Sequence, residues 1–187
     1  MKMKKIVIIA AIILVICSIS TALIISTSAG TVSTDNAVSE KDINKNIFSD
    51  VNNDDWFRTD VEYVSEKGLM QGTGNGVFSP SAQTTRAMIV TILWRLEGSP
   101  AESKAEFSDV NQNDYFYYAV SWAASNNIVS GYSADRFAPN DSATREQLAT
   151  IIYRYASFKK YDMTELSVLD AYADKNSVSE YAVDAFK

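Results

Sequence analysis

The sequence has no histidine, a single cysteine and only three prolines in 187 residues. The missing histidine excludes Ser-His-Asp and Cys-His nucleophilic chemistry and any imidazole-bound metal. The lone Cys17 excludes thiolate zinc clusters and an intrachain disulfide. Carboxylates, Lys, Tyr and hydroxyls are all that remain for catalysis. Positive charge is also scarce, with 17 Lys and Arg against 23 Asp and Glu for a net charge of −6. Three of the lysines, Lys2, Lys4 and Lys5, belong to an N-terminal segment that reads as an address, so the rest of the chain is more acidic still. Broad attraction to nucleic acid is therefore not expected. The length allows one or two ordinary domains with a real core.

Behind those lysines, Ile6 to Cys17 is uninterrupted apolar sequence, and a second short apolar group follows at Ala22 to Ile25. This is the charged n-region and apolar h-region of a signal peptide, with small residues at Thr27, Ser28, Ala29 and Gly30 for cleavage near Ala29. The charge-free stretch from Ile6 to Ile25 has the length of a membrane span, so an uncleaved anchor stays open as the alternative. Both readings place the remainder outside the cytoplasm: secreted, or tethered to the membrane. Cys17 follows Ile16 where a lipobox wants a small residue, so it reads as an ordinary apolar position. Residues 1–30 are thus a signal segment or anchor, and the Ser-, Thr- and Asn-rich residues 31–47 a linker.

From residue 48 the chain repeats itself. FSDVNNDDWF at 48–57 and FSDVNQNDYF at 107–116 open two segments that stay in register at an offset of 59, with 16 identities in the 49 positions from 48 to 96. Phe48 meets Phe107, Asp50 meets Asp109, Trp56 meets Tyr115, Gly72 meets Gly131, Phe78 meets Phe137, Pro80 meets Pro139, and Thr85-Arg86 meets Thr144-Arg145. A third copy begins near Tyr172, where Tyr-Ala-Asp174 stands for Phe-Ser-Asp and YAVDAF at 181–186 stands for the start of the next helix. The expected organisation is a first repeat over 48–106, a second with its connector over 107–171, and a truncated third over 172–187.

Each full repeat predicts two helices. The first covers Phe57 to Lys67, and Phe116 to Ser125 in the second copy, burying Val61 and Val64, or Val120 and Ala123, with Gly68 as a C-cap. A loop with glycine, one Phe and one Pro leads to the second helix, starting at Thr85 or Thr144. Thr144 to Gln147 (TREQ) is a capping box, whereas Thr85 to Met88 (TRAM) keeps only the Thr cap. The apolar series Ile89, Ile92, Leu93, Leu96 and Leu148, Ile151, Ile152, Tyr155 place these second helices in a helix–helix core.

With threonine caps at 85 and 144, Arg86 and Arg145 stand in the first helical turn, where the helix dipole disfavours a cation by about 0.3–1 kcal/mol. A choice this unfavourable, made twice, needs a reason. A guanidinium beside unpaired backbone N–H groups suits the capture of a carboxylate or phosphate. The structural alternative pairs each Arg with Asp50, Asp109 or Asp174, and the two readings can coexist.

The two units resemble S-layer homology repeats, modules that attach bacterial surface proteins to the cell wall. The resemblance is carried by Phe-Ser-Asp-Val at 48–51 and 107–110, by the loops from Gly72 to Pro80 and Gly131 to Pro139, and by Thr-Arg at 85–86 and 144–145. The family's Thr-Arg-Ala-Glu reads Thr-Arg-Ala-Met and Thr-Arg-Glu-Gln here, so the final acidic position is lost in both copies. The resemblance implies a mainly α fold in which tandem helix-loop-helix repeats form part of a pseudo-threefold assembly. It also implies binding of an anionic, pyruvylated secondary cell-wall polysaccharide, with Arg86 and Arg145 on the ketal carboxylate. Thr85, Thr144, Asp50, Asp109, Trp56, Tyr115, Gly72 and Gly131 are the neighbouring candidates. For Trp56 and Tyr115, packing between repeats competes with sugar stacking. Gly72 and Gly131 also suit positive-φ turns, and Phe48, Phe78, Phe107 and Phe137 are assigned to packing.

Other signals are weaker. Asp50-x-Asn52-x-Asp54 resembles the opening of a calcium loop, but Val61 stands where the terminal Glu belongs, and Asp/Asn turns account for the run. The candidate carboxylates for an enzyme, Asp54 and Asp55 with Asp114 or Glu146, lack a consistent pairing, since Asp54 becomes Asn113. No catalytic residue, metal or cofactor is expected. The expected function is wall anchoring at the cell surface. The alternatives are a protein-binding adaptor, self-association through the incomplete third repeat, or a remnant of a longer surface protein or enzyme.

Overall fold

The computed structural model describes residues 48–101, 107–163 and 172–187; the expected signal segment and linker lie outside the described residues. The described residues are mainly helical. Four α-helices, α1 (Arg58–Glu66), α2 (Arg86–Leu96), α3 (Tyr117–Ser125) and α4 (Arg145–Phe158), are followed by a 3-10 turn at Lys175–Ser177 and a 3-10 helix at Glu180–Phe186. Among the described residues β-structure amounts to two isolated bridges, Gly74 with Val77 and Thr85 with Ser142. No described helix is long and apolar enough to cross a membrane.

Each helix starts and stops for local reasons. At α2 the Thr85 side chain accepts from the Met88 N–H, and at α4 Thr144 and Gln147 form the full capping box that the sequence predicts. The first helices use a different device. Asn52 N–H donates to Asp55 Oδ2 at 2.6 Å, Asn111 N–H donates to Asp114 Oδ2 at 2.7 Å, and the carbonyls of Asp55 and Asp114 receive the first N–H of α1 and α3. The Asp/Asn run is thus a turn network. All four helices end in a Schellman arrangement with a left-handed residue after the cap: Gly68, Gly98, Asn127 and Lys160, at φ from +54° to +83°. For α1, Leu69 N–H donates to Val64 O and Gly68 N–H to Ser65 O; for α3, Ile128 to Ala123 and Asn127 to Ala124 repeat the pattern. The sequence announces Gly68; Asn127 does the same work because Asn tolerates the left-handed region.

The described chain divides into two compact units, up to Ala82 and from Gln83 onward. In the first, Val61 and Val64 of α1 are buried with Val51 and Leu69, and the Phe48 and Phe78 rings pack at 5.1 Å. The Asp50 carboxylate accepts the N–H groups of Phe78 and Ser79, both at 2.7 Å, tying the opening turn to the end of the loop. Gly72 has φ +73°, and a Cβ there would stand 2.3 Å from Val77 O.

In the second unit α2 packs on α3, and α4 packs on the 3-10 helix. Its core holds Ile89, Val90 and Leu93 of α2, Val120 and Ala123 of α3, Ile128, Phe137, Ile151 and Tyr155. Glu97, at the end of α2, accepts from the Tyr155 hydroxyl and from Lys159 Nζ at 2.7 Å, fastening α2 to the end of α4. The loop of the second repeat caps the start of α2: Arg86 N–H donates to Asp141 O at 3.0 Å, Ala87 N–H to Pro139 O at 2.9 Å, and Ala143 N–H to Thr84 O at 3.0 Å. Donors that a helix start leaves unpaired are thereby satisfied by the next repeat.

The helix expected near Tyr181 is present as a 3-10 helix over Glu180–Phe186. It buries Ala182 alone, and the tighter helix is common in short pieces. Tyr172 is exposed, whereas its counterpart Phe48 is buried against Phe78.

Candidate ligand-binding pocket

Arg86 resolves the oddity of a cation in a first helical turn. Its side chain leaves the helix dipole and enters the loop of the second repeat, where only 5% of the residue stays exposed. Nε donates to Phe137 O at 3.0 Å and Nη2 to Ser130 O at 2.9 Å. The guanidinium also lies over two rings, 4.7 Å from the Tyr132 centroid and 4.6 Å from that of Phe137. Burial lowers its pKa, opposed by the nearby hydroxyls and carboxylates of Tyr132, Asp141, Tyr181 and Asp109. A guanidinium lowered in this way is still a cation at neutral pH.

The guanidinium borders a pocket of about 180 Å³, whose other polar lining comes from Ser130, Tyr132, Gln147, Thr150, Arg154 and Tyr181. Two cations and no carboxylate line it. Arg154, on α4, reaches Ser130 Oγ at 3.4 Å. Gln147 Nε2 donates to the Tyr132 hydroxyl at 2.9 Å. Gly131 forms part of the floor, and a Cβ there would fall 2.4 Å from both Arg136 O and Ser133 O. Its φ is not in the left-handed range, unlike that of Gly72, so close packing and not a positive-φ turn explains glycine at 131.

The other sequence candidates are distributed differently. Asp109 repeats the role of Asp50, accepting from the N–H groups of Phe137 at 2.9 Å and Ala138 at 2.7 Å. Neither aspartate is hydrogen-bonded to an Arg86 N–H, whose partners are main-chain carbonyls. Thr85 and Thr144 are N-caps. Arg145 is exposed, and among the described residues its side chain forms no hydrogen bond or ion pair; it does not line the pocket. Trp56 and Tyr115 are 63% and 60% exposed, each edge-on to the following Phe. The Tyr115 hydroxyl meets the Thr85 side chain, so this aromatic marks the joint between the first and second repeats. Tyr181 meets the Thr144 side chain in the same way.

Sequence reasoning missed Tyr132, Gln147, Thr150, Arg154 and Tyr181. A signal existed for two of them. Arg154 repeats Arg95 and Thr150 repeats Thr91 at the offset of 59, and an arginine retained in an otherwise apolar helix is conspicuous.

A scan against protein-family models matches the S-layer homology domain at residues 47–87 and 106–149. Those two segments are S-layer homology domains. Domains of this family are cell-wall anchoring modules that bind cell-wall polysaccharide, which associates this chain with the cell surface. Similar proteins include an endoglucanase of Bacillus sp. (strain KSM-635), 30% identical over 74% of this chain and 15% of its own length. The surface-layer 125 kDa protein of Lysinibacillus sphaericus is 30% identical over 65% of this chain and 10% of its own length. The cellulosome-anchoring protein of Acetivibrio thermocellus is 28% identical over 46% of this chain and 21% of its own length. The chain thus matches about a fifth or less of each of these relatives. The family to which these segments belong anchors and does not catalyse.

Proposed function

We propose that this chain is a non-catalytic anchor, exported to the cell surface, which holds an acidic, pyruvylated cell-wall polysaccharide through the Arg86 pocket. One observation carries the reading: a buried guanidinium whose hydrogen-bond partners are two neutral carbonyls, opening on a pocket that contains a second arginine. A buried cation without a hydrogen-bonded counter-ion is costly, and an entering carboxylate would relieve that cost. Two of its five N–H groups are engaged by Phe137 and Ser130, leaving others for a ligand. Arg154 supplies a second charge, and Tyr132 and Tyr181 offer ring surface for a sugar. Asp109 and Gly131 shape the loop that receives the Arg86 side chain. Arg145, exposed and outside the pocket, is given no part in the tight contact.

The test is co-sedimentation of the full chain, as released by an exporting bacterial host, with walls rich in pyruvylated polymer, before and after chemical removal of that polymer. Polymer-dependent, saturable binding is expected. Arg154→Ala should weaken it about tenfold, the scale of one charge-assisted hydrogen bond. Arg86→Lys, which keeps the charge but not the planar fork, should weaken it at least as much. Equal binding to stripped walls, or indifference to both substitutions, would defeat the proposal.

A further inference from the structure

Neighbouring side chains in the first turn of α4 each hold one tyrosine of the pocket. Gln147 donates to the Tyr132 hydroxyl, as described above. Glu146 faces the third repeat with both carboxylate oxygens: Oε1 accepts from the Ser179 N–H at 2.9 Å and Oε2 from the Tyr181 hydroxyl at 3.1 Å. Tyr181 lines the same pocket as Arg86 and Arg154. We infer that Glu146 is a positioning residue for ligand binding, whose carboxylate sets the Tyr181 ring at the pocket and so recruits the third repeat into a site built by the first two. The inference rests on the pocket being the polysaccharide site.

Three observations support it. Ala182 is the one buried residue of the 3-10 helix, and Tyr181 itself is half exposed, with Glu146 and Thr144 meeting its hydroxyl. Packing of this segment is on α4, the helix whose first turn bears Glu146. The position is also special to the second copy. Its counterpart in the first copy is Ala87, fully buried, with its N–H taken by Pro139 O. At this helix position a loop carbonyl of the second repeat meets the first, whereas the Glu146 side chain of the second meets the third. A carboxylate in the first turn of a helix is also favoured by the dipole, so the latch is held in place at no local cost.

The experiment measures affinity of the full chain for the same pyruvylated walls in Glu146→Ala, Glu146→Gln, Tyr181→Ala and the Glu146→Ala/Tyr181→Ala double variant, with melting temperatures alongside. Each alanine variant should bind about tenfold more weakly, the loss of one or two hydrogen bonds and the ring they place. The double variant should lose no more than the worse single one, since both remove the same contact. Glu146→Gln keeps an oxygen for the Ser179 N–H and should stay within about twofold of the native chain. Wild-type affinity in Glu146→Ala, additive losses in the double variant, or Glu146→Gln as weak as Glu146→Ala would overturn the inference. If the native chain binds no walls, the polysaccharide reading fails on its own, and amide exchange over 179–186 decides the latch. Faster exchange in Glu146→Ala than in the native chain supports it, and equal exchange overturns it.

Discussion

At the scale of single residues, the aspartates of the two Phe-Ser-Asp-Val turns show how one side chain sets a binding loop. Asp50 and Asp109 each receive two main-chain N–H groups, from Phe78 and Ser79 or from Phe137 and Ala138. Asp109 thereby fixes the peptide whose carbonyl, that of Phe137, holds Arg86. Burial works against ionisation of both carboxyls, but these N–H donors outweigh it and leave both pKa values below the ordinary 3.8. A carboxyl lowered in the folded state contributes stability that is fully present above the ordinary carboxylate range. That contribution disappears as pH falls through the folded value. Melting temperature followed from pH 6 into strong acid should therefore fall below about pH 4, and Asp109→Ala should flatten part of that fall. At neutral pH the same substitution should cost about 2–3 kcal/mol in urea unfolding, because two N–H groups lose a charged acceptor. A cost below about 0.5 kcal/mol would mean that the loop is fixed by the Phe107–Phe137 packing and not by the carboxylate.

At the scale of elements, much of the fold was legible in the sequence and part of the site was not. The caps Thr85, Thr144, Gln147 and Gly68, and the buried faces Val61, Val64, Val120, Ala123, Ile89, Leu93, Ile151 and Tyr155, follow from spacing and capping chemistry alone. Arg86 was conspicuous because it breaks a local rule. Where its side chain goes was not legible, since that depends on carbonyls 44 and 51 residues away. Nor does the 59-residue period show how helices pair. In the second unit the second helix of the first repeat, α2, packs on the first helix of the second repeat, α3. The packing unit therefore straddles the sequence repeat. A fragment of residues 107–187 would lose the α2 face that covers α3, the Glu97 contact of the Tyr155 hydroxyl, and the Arg86 side chain that fills the loop at Phe137. Differential scanning calorimetry should show a cooperative transition for residues 83–187 and a broad or absent one for 107–187. Equal cooperativity would show that the sequence repeat is itself the folding unit.

At the scale of the whole molecule, an acidic chain is proposed to bind an acidic polymer, and the two charges must be reconciled. With a net charge of −6, long-range electrostatics oppose the encounter. Attraction must then come from within the pocket, where Arg86 is shielded from water and Arg154 lies beside it. Salt screens these two levels unequally: at 0.1 M the Debye length is about 10 Å, so repulsion between the exposed carboxylates and the polymer weakens while a buried pair is screened much less. The two effects oppose one another in the measured affinity. Wall binding should consequently change by less than about threefold between 50 and 300 mM NaCl, with any gain on adding salt coming from faster association as the repulsion is screened. Arg154→Ala should lower affinity at every salt concentration without steepening the dependence, because it removes a local contact and leaves the distant repulsion in place. A loss of a hundredfold over the same salt range would instead describe ion exchange on exposed cations. Arg145, free in solvent, would then become the residue to substitute, and the Arg86 pocket would no longer be the site that holds the polymer.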